Sequence, residues 1–257
     1  MLAARADRNA LVTALQARRL DRTLTTALPA IGPRDDQAVG ATGLPPLDGR
    51  LGGGLPRGHL SEIVGPRSSG RTSLLLQVMA AATARRELVA LVDALDMLDV
   101  ASAAAAGVDL TRLLWVRGHV VTNPGFCRDL NQRAMEQALK ALGLVLQAGN
   151  IGLVALDLGD APQDAVRRLP FTTWLRLQRM VEGSQAICVL AGNEPMSRSS
   201  AGLSITLQPS SPAVGVAARF VGHLFDGLDL EACVVRARVH GTDSVALPLA
   251  TKVARHV

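Results

Sequence analysis

A strand, a glycine-bounded loop and a helix follow one another directly between residues 59 and 85, and few folds accommodate this order. The apolar run 59–64 leads into Gly65-Pro66-Arg67-Ser68-Ser69-Gly70-Arg71-Thr72. Residues 72–85 then carry apolar side chains at helical spacing. A loop of the pattern G-x-x-x-x-G-K-[ST] in this setting wraps phosphates with its backbone N–H groups at a helix N-terminus. The sequence therefore predicts the architecture of a nucleotide site.

The loop departs from that pattern at a single position. Arg71 stands where a working loop has the lysine that reaches the β- and γ-phosphates, whereas Thr72 keeps the hydroxyl that would bind Mg²⁺. Lysine is a compact point charge and arginine is a wider planar fork, so the two side chains do not fit the same space in the same way. Asp157 ends the apolar run 151–157 and is the expected acidic partner of the loop, although such an aspartate also suits the cap of a following helix. The expected vestigial nucleotide-binding residues are Gly65, Ser68, Ser69, Gly70, Arg71, Thr72 and Asp157.

Composition narrows the class of protein. The chain has 257 residues, 48% of them hydrophobic, which suits one large α/β domain with a modest N-terminal extension. No apolar run approaches the length of a membrane span, and the N-terminus lacks the apolar stretch of a secretion signal, so a soluble, cytoplasmic protein is expected. The net charge of +5 allows an acidic partner, but 2% aromatic residues and no tyrosine leave few rings for base stacking.

Cysteine usage indicates neither a disulfide framework nor a metal site. The chain has Cys127, Cys188 and Cys233, an odd number at wide spacing with no C-x-x-C pair. We expect them to be packing residues, and we expect no bound metal.

The order of apolar segments predicts an α/β fold. Strands expected at 59–64, 88–93, 113–116, 151–157 and 186–191 alternate with helices expected at 72–85, up to 106, 128–148 and 171–181. Because these strands are apolar throughout, they favour a mostly parallel central sheet covered by helices on both faces. Segments 203–207, 231–239 and 245–249 indicate antiparallel strands near the C-terminus. The expected domains are 1–40 (a helix over 1–22 and a linker), 41–210 (the core) and 211–257 (a strand-rich extension), with turns over 28–58.

Several motifs together resemble the RecA family ATPase core. They are the run L-D-G-R-L-G-G-G-L-P-R-G at 47–58, the loop at 65–72, the run V-D-A-L-D-M-L-D at 92–99 and A-G-V-D at 106–109. The resemblance extends over about residues 41–210 and is most specific in its first 70 residues. It implies a RecA-like P-loop core for the predicted sheet.

Two further positions depart from that family. Leu95 stands where the resemblance places the glutamate that activates the attacking water, and leucine cannot accept a proton. Ser102 stands where it places a tyrosine that stacks on adenine. With Arg71, three separate roles are altered, so the resemblance implies a degenerate core that is not an enzyme, with no catalytic residue and no cofactor. Residual binding of ATP and Mg²⁺ is the alternative, as is replacement of the glutamate by Asp93, Asp96 or Asp99.

The resemblance also places two loops that face DNA in the family. They fall at about 159–170, with Arg167 and Arg168, and at about 192–202, with Arg198. Both loops are short. Arginines in such loops are often solvated surface residues, so contact with DNA and an inert surface are the two alternatives.

Within the family, the shortened core, the altered loop and the segment L-F-D-G-L-D-L-E-A-C-V-V-R-A-R at 224–238 resemble the ImuA proteins of bacterial mutagenesis cassettes. That resemblance implies an accessory role in damage-induced translesion synthesis, through contacts with an ImuB-like protein, an error-prone C-family DNA polymerase and RecA. Residues 1–40 and 208–257 are the expected surfaces for partners, with self-association through 1–40; packing of the first helix on its own core is the alternative.

Two other functions are compatible with the sequence. One is a weak ATP-dependent DNA-binding protein of the RecA class. The other is a regulator that caps RecA filaments through one compatible surface.

Overall fold

The structure is a computed structural model, and it describes residues 38–118, 128–159, 161–197, 202–209, 218–221, 224–237 and 246–251. The helix predicted at 1–22, Cys127 and Arg198 lie outside these residues. The strands are β1 (Val39–Gly40), β2 (Leu55–Pro56), β3 (Leu60–Val64), β4 (Val89–Asp93), β5 (Leu113–Arg117), β6 (Leu153–Asp157), β7 (Ile187–Gly192), β8 (Leu203–Pro209), β9 (Ala218–Val221), β10 (Leu224–Ala237) and β11 (Ala246–Ala250). The helices are α1 (Pro45–Arg50), α2 (Arg71–Ala84), α3 (Val100–Ala105), α4 (Arg128–Ala148), α5 (Gln163–Arg167) and α6 (Phe171–Val181), with a 3-10 turn at Leu110–Arg112.

One mixed sheet organises the fold. Among the described residues it has nine strands, in the order β11-β10-β8-β3-β7-β6-β4-β5, with β9 paired to β10. The six strands from β8 to β5 are mutually parallel, whereas β10 runs antiparallel to β8, β9 and β11. The predicted fold class is confirmed. Because parallel strands end at the same edge, the loops after β3, β4, β6 and β7 meet at the carboxyl edge of the sheet.

Helices cover both faces of the sheet, as the apolar strands predict. On one face, α2 packs Leu75 and Met79 on strand residues such as Leu91. On the other, α4 and α6 pack Met135 and Trp174 on the alternate residues of the same strands. The strands β3, β4, β6 and β7 therefore contribute buried residues to two apolar clusters, which fixes their register from both sides.

The segment 28–58, which we expected to be a linker and turns, contains regular structure in its described part. β1 pairs with β2 in antiparallel fashion, and α1 begins with a proline, which suits a first helical position. Leu47 and Leu55 are fully buried. Gly54 makes the pairing possible, because its φ is 141° and a Cβ there would lie 2.1 Å from the carbonyl oxygen of Gly40. These elements are too short for any periodicity to reveal.

The C-terminal strands are part of the core sheet. β10 begins at Leu224, earlier than the strand expected at 231–239, and its residues Leu230, Ala232 and Val234 are buried in the core. β10 pairs with β8 from Leu230 to Ala237. This sheet therefore extends without interruption into the segment assigned to a C-terminal extension.

Cysteines in the described chain are packing residues. Cys188 is fully buried in β7, and burial raises the pKa of its thiol to about 12. Cys233 is partly buried in β10, and both cysteines are free thiols. Over the residues that the structure describes, no helix is long and apolar enough to cross a membrane. The same residues contain no group of three or more His, Cys, Asp or Glu side chains placed to hold a metal ion.

Candidate functional site: an altered phosphate-binding loop

The loop between β3 and α2 keeps the backbone path of a phosphate-binding loop. Ser68 and Gly70 have φ angles of 62° and 82°, in the left-handed region. The N–H of Gly65 donates to the carbonyl oxygen of Gly192 at 3.2 Å, which ties the loop to the end of β7. At Gly70 a Cβ would lie 2.1 Å from Leu230 Cδ1, so β10 packs directly on the loop. The predicted residues of the loop thus stand together at the carboxyl edge.

The side chain of Arg71 turns into the protein. Its Nη1 donates to the carbonyl oxygen of Gly65 at 2.6 Å and to Asn193 Oδ1 at 2.6 Å. The residue is only 7% exposed. Its Nη2 approaches Gly159, where a Cβ would lie 2.3 Å from that nitrogen. The guanidinium therefore joins the phosphate-binding loop to the loops that follow β6 and β7.

These contacts change the chemistry of the loop. Each Nη nitrogen of arginine has two hydrogens, so the two bonds of Arg71 Nη1 use both donors of that nitrogen inside the protein. In a working loop the cation at this position faces the phosphates. Here the two donors of Nη1 face a backbone carbonyl of the loop itself and the side-chain amide of Asn193.

Thr72 and Asp157, the expected Mg²⁺-site residues, line one cavity of about 200 Å³ together with Arg71. Thr72 is exposed, and Asp157 Oδ1 accepts from the N–H of Gly159 at 2.8 Å. A Cβ at Gly159 would lie close to both the Arg71 guanidinium and Asp157 Oδ1, so a fixed cation lies beside this carboxyl group. The hydroxyl and the carboxylate are suitable oxygen ligands for Mg²⁺, but the neighbouring guanidinium opposes a second cation there.

Apart from Asp93 and Gly159, the other residues that line that cavity are apolar. Leu95 lines it and is 6% exposed, packed in the cluster beneath α4 and α6. The other apolar lining residues are Leu75, Leu76, Leu91, Met97 and Leu98. The position that the resemblance assigns to the water-activating glutamate is thus part of the hydrophobic core.

Asp93 and Asp96 have structural partners. Asp93 is 2% exposed, and its Oδ2 accepts from the N–H of Leu98 at 2.8 Å and from Trp115 Nε1 at 3.3 Å. Asp96 accepts two bonds of 2.7 Å from Arg117, and this hydrogen bonding holds the pKa of Asp96 below its usual value. A lowered pKa makes a carboxylate a weaker base.

Asp99 caps α3. Its carboxyl group accepts from the hydroxyl and the N–H of Ser102 and from the N–H of Ala101, and these bonds, the hydroxyl first, lower the pKa of Asp99. Ser102 also lines a cavity of about 520 Å³ beside the loop, together with Leu230 of β10 and Leu249 of β11. The described residues that line this cavity combine aliphatic side chains with Ser73, Gln77 and Ser102, and they include no aromatic ring.

The predicted DNA-facing arginines are only partly described. Arg167 ends α5, inside the loop expected at 159–170, and pairs with Glu194 at 2.7 Å. That contact raises the pKa of Arg167. Arg168 is exposed. The charge of Arg167 is therefore already balanced by a carboxylate from the second loop.

Two residues of the site were not predicted from the sequence. Asn193 holds Arg71, and Glu62, buried in β3, accepts hydrogen bonds from the segment after β7. Both residues have a feature that the sequence shows. Asn193 directly follows a buried strand, and Glu62 is a carboxyl group within an apolar strand. Strand-end polar residues of a parallel sheet meet at one edge, and a buried acid requires donors.

Comparison with known proteins agrees with this fold. Residues 26–161, more than half of the 257-residue chain, match the RecA N-terminal domain family. Protein RecA of Bordetella petrii is 41% identical over 123 residues, which cover 48% of this chain and 30% of that protein. Protein RecA of Chlorobium chlorochromatii is 32% identical over 168 residues, which cover 60% of this chain and 43% of that protein. The chain thus spans less than half the length of these curated relatives. It belongs to the RecA family.

Proposed function

We propose that the chain is a non-catalytic RecA-like accessory protein of damage-induced translesion synthesis, of the ImuA type. It acts through protein contacts with an ImuB-like protein and the error-prone C-family DNA polymerase, with RecA as a further partner. The observation that carries the proposal is the inward placement of Arg71, whose guanidinium binds Gly65 and Asn193.

That placement supports a loss of phosphate binding. A phosphate that enters the loop needs donors, and the nearest cation has committed Nη1 to acceptors at 2.6 Å. Withdrawing the guanidinium would leave the buried carbonyl of Gly65 without its partner, which costs about 1–3 kcal/mol, and would also break the bond to the partly buried amide of Asn193. Nucleotide binding must therefore overcome an internal competitor.

The surroundings of Leu95 and of the neighbouring aspartates are a second, independent support. Leu95 is buried among apolar side chains, and Asp93, Asp96 and Asp99 each hold a structural partner. None of these contacts needs a nucleotide. A role in which the RecA fold serves as a scaffold suits this arrangement, because one fold can host both enzymes and binding proteins.

The surface is compatible with protein contacts. Leu144 is 69% exposed, and together with Leu88 and Leu114 it lines an apolar groove of about 470 Å³ beside β5. β5 pairs with β4 and is the terminal strand of the described sheet. Exposed apolar side chains beside a sheet edge are typical of association surfaces.

The alternative function, a weak ATP-dependent DNA-binding protein of the RecA class, has one observation in its favour. Thr72 and Asp157 still line a common cavity beside a loop whose backbone keeps its left-handed residues. Under that alternative, the capture of any partner would depend on nucleotide.

The test is capture of an ImuB-like protein by the full chain, with and without Mg²⁺-ATP. We expect near-stoichiometric capture without nucleotide, and we expect Thr72→Ala to leave it unchanged. Ser73→Ala is the matched control, since both hydroxyl residues are exposed in the first turn of α2. Absence of capture contradicts the proposal, and capture that requires ATP and fails in Thr72→Ala alone supports the alternative.

A further inference from the structure

The segment 193–197, which directly follows β7, is held by charged side chains from two other elements. Arg71 of α2 binds its first residue, and Glu62 of β3 binds its last two. We propose that Arg71 and Glu62 form an internal clamp that fixes the segment 193–197 without any bound ligand. Asn193 is the positioning residue through which Arg71 acts.

The Arg71 end of the clamp is attached at two points. The guanidinium bridges Asn193 Oδ1 and the carbonyl oxygen of Gly65, both at 2.6 Å. The N–H of Gly65 in turn donates to Gly192, the residue before Asn193. The phosphate-binding loop therefore grips the end of β7 and the start of the segment together. Hydrogen bonds from a charged donor are about twice as strong as neutral ones.

The Glu62 end is buried in the centre of the sheet. Glu62 is 1% exposed, and its Oε1 accepts from the N–H groups of Met196 at 2.9 Å and Ser197 at 2.7 Å. Its Oε2 accepts from the hydroxyl of Ser204 in β8 at 2.9 Å. A buried carboxyl group with three donors is a costly arrangement unless all its bonds persist. The C-terminal end of the segment 193–197 is therefore fixed to β3.

Between the two ends the segment has one outward residue with a charged partner. Glu194 is 46% exposed at its side chain and pairs with Arg167 of α5, which is 65% exposed. The side chain of Met196 folds back on Gly192, where a Cβ would lie 2.2 Å from the Met196 methyl group. The clamp thereby presents the Glu194–Arg167 pair at a constant position on the carboxyl edge.

The clamp and a phosphate compete for the same guanidinium. A phosphate that recruits Arg71 Nη1 must remove it from Asn193, which releases one end of the segment. In this respect the inference rests on the proposed function, because it makes the segment independent of nucleotide. The clamp and the proposed function are measured separately, because the clamp is tested by amide hydrogen exchange in the segment 193–197 and catalysis is tested by phosphate release.

Amide hydrogen exchange of the full chain tests the clamp. Asn193→Leu removes the acceptor at similar volume, and Asn193→Asp keeps an Oδ acceptor. We expect the amides of Met196 and Ser197 to exchange at least about tenfold faster in Asn193→Leu, as loss of one charged hydrogen bond implies. In Asn193→Asp they are expected to exchange as in the wild type. The amides of Val189 and Leu190, in the interior of β7, are the internal reference for global opening.

A second comparison keeps the test independent of folding defects. Arg71→Lys shortens the side chain and removes Nη1, the nitrogen that donates to both Gly65 and Asn193, so it is expected to accelerate exchange of the same two amides. In the double variant Arg71→Lys/Asn193→Leu the same amides are expected to exchange no faster than in Asn193→Leu alone. The reason is that both substitutions break the same Arg71–Asn193 contact. Unchanged exchange in both single variants, or equal acceleration in Asn193→Leu and Asn193→Asp, overturns the clamp. ATP turnover by the wild type would instead overturn the proposed function and leave the exchange result intact.

Discussion

Replacing Glu62 with alanine is expected to lower the free energy of unfolding by about 3–5 kcal/mol, because three buried donors lose their acceptor. The substitution leaves the N–H groups of Met196 and Ser197 and the hydroxyl of Ser204 without their acceptor. A buried donor left unsatisfied costs about 1–3 kcal/mol. Removing a carboxyl group that is costly to bury offsets part of this loss, so the net value falls below the sum of three donors.

Urea unfolding followed by circular dichroism measures this effect. Glu62→Gln is the matched variant, because its amide oxygen still accepts at one of the two positions, and its expected loss is about half that of alanine. A change of under about 1 kcal/mol in Glu62→Ala, the level of an ordinary surface substitution, would contradict the role assigned to Glu62 as the fixed point of the segment 193–197.

Replacing Gly70 with alanine is expected to cost about 2–4 kcal/mol. Its φ of 82° is a left-handed conformation, which costs a residue with a Cβ about 1–2 kcal/mol. The new methyl group would also lie 2.1 Å from Leu230 Cδ1 in the core, and overpacking of this kind costs about 1–3 kcal/mol. The leucine side chain can move in part, which keeps the total below the highest sum.

Gly143→Ala is the control for this prediction. Gly143 lies within α4, and a Cβ there would meet Met180 at an ordinary 3.6 Å. Alanine in a helix interior is favoured over glycine by about 0.5–1 kcal/mol, so this variant is expected to be neutral or more stable. Thermal unfolding compares the two variants. Equal melting temperatures would show that β10 does not pack on the phosphate-binding loop as described.

The parallel core could be predicted from the sequence because its helices and strands are long and apolar enough to show a helical or strand-like pattern of apolar residues. The helices α4 and α6 begin and end where the pattern predicts, and the strands that end at Val64, Asp93 and Asp157 lie in the expected parallel sheet. The elements α1, β1 and β2 were missed because two to six residues cannot display a helical or alternating repeat. They form because Leu47 and Leu55 fill the core.

The sequence predicted only part of the candidate site. The pattern at 65–72 located the loop and the substituted Arg71, and the strand-end rule located Asp157. The hydrogen-bond partners within the site could not be predicted, because they are distant in sequence. Asn193 is 122 residues from Arg71, and Met196 is 134 residues from Glu62. A side chain of arginine can reach several acceptors from one backbone position, so its direction depends on packing that no local pattern contains.

We propose that this RecA-family core keeps the phosphate-binding loop without ATP turnover, and phosphate release measures that turnover. The full chain is mixed with Mg²⁺-ATP, with and without single-stranded DNA, beside RecA of Bordetella petrii as the positive control. We predict release no faster than the rate without protein, in the wild type and equally in Thr72→Ala and Asp157→Ala. Release by the wild type that disappears in Thr72→Ala or Asp157→Ala would show that the loop still turns over ATP, and the proposed non-catalytic role would be wrong.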